Sequence, residues 1–249
     1  MRTYWTLVRR ELSGFFLSIS GYIIIAAALF LMGFSFVVIL VNLQKPTPMP
    51  VTELFYRTYF FWLILLLTTP VITMRLFAQE KFSGTFETLM TTPVSDLQVV
   101  LAKFTGALVF YGLMWLPLVG CLLVVRRYTQ DAAALDAWAV GGAFLGILLL
   151  GGVFISLGCC ASALTRSQAI AAIISLVFGA SLFLLGYLAS QLPIQEGWPA
   201  KVLGCFALFD QMHDFARGVV DTRPLVLYAS LTLFFLFLTL RVVESRRWK

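Results

Sequence analysis

Acid–base or metal chemistry needs titratable side chains at short spacing, and this chain offers one grouping of that kind. Asp210, His213 and Asp214 fall within five positions, with Arg217 one helical turn further on. His213 is the sole histidine. Zinc asks for three or four His, Cys or carboxylate ligands, and a catalytic base needs a partner that orients it. With no second histidine or neighbouring thiolate, these four residues read as a charged loop rather than a metal or acid–base site. Contact with cargo or with an external partner and a merely solvated surface describe them equally well. Nucleotide chemistry is excluded more firmly. A P-loop needs Gly-x-x-x-x-Gly-Lys-Ser/Thr to cradle phosphate, and no Gly-Lys pair occurs. No Gly-x-Ser-x-Gly elbow or zinc-type helix motif is present either. Catalysis and cofactor binding are therefore not expected of this chain.

The elements that position these residues follow from composition. Of 249 residues, 60% are hydrophobic and 12% charged, where a soluble domain carries about twice that charge. Mean hydropathy is +0.93. The excess apolar surface must face lipid. A crossing needs about 20 apolar residues, and six uncharged runs qualify, at about 21–41, 58–74, 104–125, 138–163, 168–190 and 224–241. Their continuous apolarity predicts helices rather than barrel strands, which alternate. Residues 1–20 carry Trp5, Val8, Leu12, Phe15 and Phe16 at helical spacing among basic residues, which predicts an amphipathic helix at the membrane interface rather than a cleaved signal. The fold class is all-α and integral to the membrane, a single transmembrane domain over 1–249.

Six crossings put both termini on one side. Eleven of the eighteen basic residues fall on that side, with five of the twelve acids, so the positive-inside rule makes the termini cytoplasmic. The formal charge of +6 is dispersed, which argues against nucleic acid. The spans hold no mid-helix Asp, Glu, Lys or His, which disfavours intramembrane catalysis and ion-coupled transport. Gly142 and Gly146 form a Gly-x-x-x-Gly pair that reads as internal packing ahead of dimerisation.

Two loops are long: 75–103, on the side of the termini, and 191–223, opposite. In the first, Ala78, Phe82, Phe86, Leu89 and Met90 make one helical stripe, with Gly84 either a break or a point of close approach. Ser95 and Gln98 form a capping box that starts a new helix after Pro93. The stripe suits either a solvated connector or a docking helix for a partner. In the second loop, Val202–Phe209 is apolar yet too short to cross, which predicts a re-entrant or interfacial helix pair.

The segment Met74-Arg-Leu-Phe-Ala-Gln-Glu-Lys-Phe-Ser-Gly-Thr-Phe-Glu-Thr-Leu-Met-Thr-Thr-Pro-Val-Ser-Asp96 resembles the E-K/R-x-x-G-T-x-E-x-L-x-x-x-P-V/I-S signature of ABC-2-type exporter permeases, nearest the gliding-motility-type branch. Arg9-Arg-Glu-Leu12 with Gly21-Tyr22, and Phe215-Ala-Arg-Gly-Val-Val-Asp-Thr-Arg223 with the basic C-terminus, agree with it. Phe82 and Phe86 are bulkier than that pattern usually has. The resemblance implies a multi-pass permease of the bacterial inner membrane that pairs with a second permease copy. It also implies a separate cytoplasmic ABC ATPase that holds the ATP and Mg, and it admits a periplasmic accessory protein. It implies that Glu80, Lys81, Ser83, Gly84, Thr85 and Glu87 lie at the coupling helix seated on that ATPase. In this family the first and fifth spans are expected to form the dimer seam, which directs attention to Ser175, Gly179 and Gly186. The alternative is a non-transporting membrane scaffold of an envelope or gliding-type machine.

Overall fold

The computed structural model describes residues 2–42, 51–86, 94–129, 137–191, 204 and 206–245. Every regular element among them is a helix: α1 (Arg2–Phe16), α2 (Ile19–Asn42), α3 (Val51–Arg57), α4 (Tyr59–Thr73), α5 (Ala78–Ser83), α6 (Asp96–Trp115), α7 (Pro117–Thr129), α8 (Ala137–Leu164), α9 (Gln168–Gln191), α10 (Leu208–Ala216) and α11 (Thr222–Ser245). Among the described residues six stretches are long and apolar enough to cross a membrane: Ile19–Val41, Tyr59–Ser83, Asp96–Val124, Ala137–Leu164, Gln168–Gln191 and Thr222–Ser245. In hydrocarbon the backbone must satisfy its own polar groups, and helices do so within one segment.

α8 is the centre of the bundle. In its most apolar window 72% of the residues are buried within the protein, against 22% in α9 and in α11. Glycines explain how neighbours come so close. A Cβ at Gly151 would collide with the Tyr111 ring of α6, and one at Gly158 with Thr73 at the end of α4. Gly142 and Gly146 receive Phe215 of α10, whose carbonyl oxygen would lie 2.5 Å from a Cβ at Gly142. The Gly-x-x-x-Gly pair thus packs inside one chain. The three positions singled out in the fifth span are also occupied within the chain. Gly179 lies against Phe154 of α8, Gly186 against Leu208 of α10, and Ser175 is buried.

α1 lies across the start of α6 and buries Val8 and Phe15, with Trp5 left exposed. Phe15 stacks on Phe110 at 4.7 Å between centroids, and the Tyr4 hydroxyl donates to Thr105 Oγ1 at 2.9 Å. The amphipathic helix is thereby fastened to the bundle. α6 begins where the capping box places it, Ser95 Oγ accepting from the Gln98 amide at 3.3 Å. It runs until Leu116, after which Pro117 opens α7.

Candidate functional site

The segment after α4 is held by its contacts with three other helices, α1, α6 and α8. The amides of Phe77 and Ala78, at the start of α5, both donate to Ser162 Oγ of α8, at 3.1 and 3.0 Å. That hydroxyl donates in turn to the Met74 carbonyl at 3.2 Å. The first amides of a helix have no partner within it, and a serine normally supplies one from the preceding position. Here the cap comes from α8.

Lys81 reaches the last turn of the same helix, its Nζ donating to the Ala163 carbonyl. Glu80 turns the other way. Its Oε1 lies 2.8 Å from Lys103 Nζ of α6 and 3.7 Å from Arg10 of α1. Lys103 also donates to Glu11 of α1 at 3.0 Å and lies over the Phe77 ring at 5.4 Å. Its side chain is only 2% exposed. A buried ammonium is tolerated only when paired and hydrogen-bonded, and two carboxylates and a ring face supply that. Glu11 can approach because residue 106 is glycine, where a Cβ would lie 2.9 Å from the Glu11 Cβ. Lys103, expected in the helix that starts at Ser95 and runs on into the third span, is a member of α6 and is buried there.

Gly84 ends α5 with φ at +74° in the left-handed region, and no atom stands within 4 Å of where its Cβ would be. It is a break, not a close approach. The expected stripe fails. Ala78 and Phe86 are buried, whereas Phe82, one turn after Ala78 in the same short helix, is 81% exposed: only the first turn of α5 lies against the bundle, and the helix ends before Phe86. Leu89, Met90 and Glu87 lie outside the described residues. Ser83, Gly84 and Thr85 are exposed, with the two hydroxyls hydrogen-bonded to each other at 2.9 Å.

The opposite end holds the second set. α10 buries Leu208, Met212, Phe215 and Ala216, and Phe209 packs on Trp62 at 4.3 Å. It lies in the loop where a helix pair is expected, of which residues 192–203 and 205 lie outside the description. Gly218, at φ +78°, closes it through hydrogen bonds from its own amide to Phe215 and from the Val219 amide to Asp214. Arg217 donates from Nε and Nη2 to the two oxygens of Glu53 on α3, at 3.1 and 2.8 Å. His213 Nδ1 stands 3.9 Å from the same carboxylate. Asp210 and Asp214 stay exposed. The hydrogen bonds and charge of Glu53 push the Arg217 guanidinium further up from its ordinary pKa. Thr52 donates to the Ala216 carbonyl at 2.9 Å, and buried Tyr56 to that of Ala143 at 2.9 Å. Desolvation raises the Tyr56 phenol well above its usual range, so it remains a donor. Among the described residues no three His, Cys, Asp or Glu side chains gather as a metal site.

Residues 59–239 match the family model described as ABC-2 family transporter protein. The chain belongs to the ABC-2 transporter family. No curated protein matches it. The ABC-2 chain is accordingly the permease component of an ABC transporter and a multi-pass membrane protein, and its family works with an ABC ATPase partner in general. The matched region includes the α5 segment and the Arg217 side of the opposite cluster, whereas α1, with Arg10 and Glu11, and α3, with Glu53, lie ahead of it.

Sequence reasoning passed over Glu11, Glu53, Lys103 and Ser162. Lys103 had a signal, standing in Val99-Val-Leu-Ala-Lys-Phe104 with apolar neighbours throughout a helical turn. Glu53 had a weaker one as the sole acid between the first two spans. Ser162, a small polar residue among others at the end of α8, had none.

Proposed function

We propose that this ABC-2 permease is half of an exporter driven by a separate cytoplasmic ATPase, which carries the ATP and Mg, through the α5 segment. One observation carries the reading: the tip Phe82–Thr85 is exposed, while Glu80 and Lys81 behind it are fastened to α1, α6 and α8. An ATPase that grips the tip moves three helices at once. Glu80 and Lys81 then act as struts rather than contacts, and Glu87, seven positions after Glu80, completes the partner-facing signature. The basic surplus on the side of the termini supports a cytoplasmic placement of that end, with Glu53, Arg217 and α10 outside, where Asp210, His213 and Asp214 meet cargo or an accessory protein. The whole chain acts as one permease domain paired with a second copy in the inner membrane. The likeness of residues 74–96 supports a place near the gliding-motility-type branch.

The test is co-purification in mild detergent with the ATPase, followed by hydrolysis assays. Phe82→Asp places a charge on the exposed tip and is expected to lower ATPase recovery at least about tenfold, the equivalent of roughly 1.4 kcal/mol. Full recovery with unaltered hydrolysis in both Phe82→Asp and Glu87→Lys would overturn the assignment.

A further inference from the structure

A cleft of about 280 Å³ opens between α1, the turn into α2 and the α4–α5 connection. It is several times the ~30 Å³ that one water occupies in the liquid, so it has room for a polyatomic ligand. Its charged walls are Arg10, Glu11, Arg75, Glu80 and Lys103. Four of these balance one another. Lys103 is held by Glu11 and Glu80, and Arg10 stands beside Glu80.

Arg75 is the remaining charge. Its Nη1 donates to the Ser18 hydroxyl at 3.1 Å and to that of Ser20, both neutral acceptors. Its Nε is buried and makes no hydrogen bond. Among the described residues no carboxylate lies within ion-pair distance of it. The end of α4, whose cap is Met74, offers the guanidinium at most about half a negative charge. A mostly enclosed cation with a free N–H requires an anion, since burial without one is unfavourable by several kcal/mol in general.

We propose that this cleft binds a phosphate group, with Arg75 as its principal ligand and the Ser83 and Thr85 hydroxyls at the rim. A guanidinium offers paired N–H donors in a plane that matches two phosphate oxygens. The neighbourhood points to the bilayer as one source. Ser18 sits between Leu17 and Ile19, which are 85% and 81% exposed at the point where α1 hands over to the first membrane-crossing helix. That is the depth at which phospholipid phosphates lie, and a headgroup could enter from the side while its acyl chains pass those two residues. Free phosphate is the other source of the same chemistry.

The experiment measures the melting temperature of the purified full chain in mixed micelles. Three additions are compared: phosphatidylglycerol, diacylglycerol with the same acyl chains, and inorganic phosphate. Phosphatidylglycerol is expected to raise the melting temperature on the order of 5 °C at saturation, and diacylglycerol not at all. An equal rise with inorganic phosphate alone assigns the site to the free ion. Arg75→Gln should lose the rise, while Arg241→Gln, at the same end of the molecule, should keep it. Ser18→Asp provides an arm that does not remove the arginine. It gives Arg75 an internal carboxylate, so the unliganded chain should be at least as stable as the wild type and the phosphate-dependent rise should vanish. Retention of the full rise in Ser18→Asp or in Arg75→Gln, or an equal rise with diacylglycerol, would overturn the proposal.

Discussion

Glu80 and Phe82 are two positions apart and have opposite tasks. Glu80 closes a charge network around the buried Lys103 ammonium, and Phe82 stands almost bare. Removing Lys103 leaves Glu11 and Glu80 without their shared cation, and breaking a buried pair in this way costs about 3 kcal/mol. Lys103→Met is therefore expected to lower the melting temperature by roughly 10 °C, measured on the chain alone. Phe82→Ala removes a ring that is 81% exposed and should change stability by less than about 0.5 kcal/mol. If it faces an ATPase groove, it should still weaken that association about tenfold, as an aromatic anchor does. A melting temperature that falls as far in Phe82→Ala as in Lys103→Met would place the ring in the fold instead. The sequence marked this segment as the informative one. It did not reveal the direction of each side chain, because Glu80 and Lys81 find their partners on α1, α6 and α8, up to 82 positions away.

Helix ends were the most legible elements, since their chemistry is local. The Ser95 cap follows from neighbouring residues alone, and the Gly84 break was one of the two readings its glycine allowed. The stripe through Ala78, Phe82 and Phe86 misled because periodicity presupposes a helix that lies along a partner for its whole length, whereas α5 is six residues long, meets the bundle with its first turn and ends before Phe86. Replacing Gly84 by alanine forces that conformation on a Cβ and is expected to cost about 1 kcal/mol. Circular dichroism and thermal melts would show it. The α3–α10 clamp is tertiary and was not legible, and it predicts an asymmetry. Arg217 is half exposed, whereas the Glu53 side chain is 2% exposed. Arg217→Ala strands a buried carboxylate, but Glu53→Gln releases a guanidinium that water can receive. The first should lower the melting temperature more, and adding Glu53→Gln to it should restore part of the loss. Additive losses would show the two side chains to be independent. Arg217 itself imposes no pH dependence in the neutral range. Its pKa is raised, so its contribution is present below its ordinary value and is lost only as pH rises through the still higher folded one.

At the scale of the whole molecule, α8 joins the two clusters. Its 28 residues span roughly 42 Å at 1.5 Å each. Ser162 and Ala163 hold the start and middle of α5 at one end, while Gly142 and Gly146 seat Phe215 of α10 at the other. Six crossings could be counted from uncharged runs, but not which helix is central, because every span is apolar on all faces and burial within the protein looks in sequence like exposure to lipid. α8 differs only in its glycines and its close-packed Cys159-Cys160-Ala-Ser162 end. If it works as a rigid strut, a load on the α5 tip reaches the α10 cap through it, and cutting either joint should uncouple the ends without removing the partner. Ser162→Ala leaves the Phe77 and Ala78 amides without their acceptor, a loss of about 1–3 kcal/mol at that joint. The expected result has three parts: the ATPase still co-purifies, its hydrolysis continues, and the nucleotide-dependent change in hydrogen exchange over 208–216 disappears. Gly146→Leu attacks the other joint by displacing Phe215, and should free α10 to exchange whether or not nucleotide is present. Nucleotide-dependent protection of 208–216 that survives Ser162→Ala unchanged would mean that the signal travels by another helix, with α6, joined to Glu80 through Lys103, the next to test.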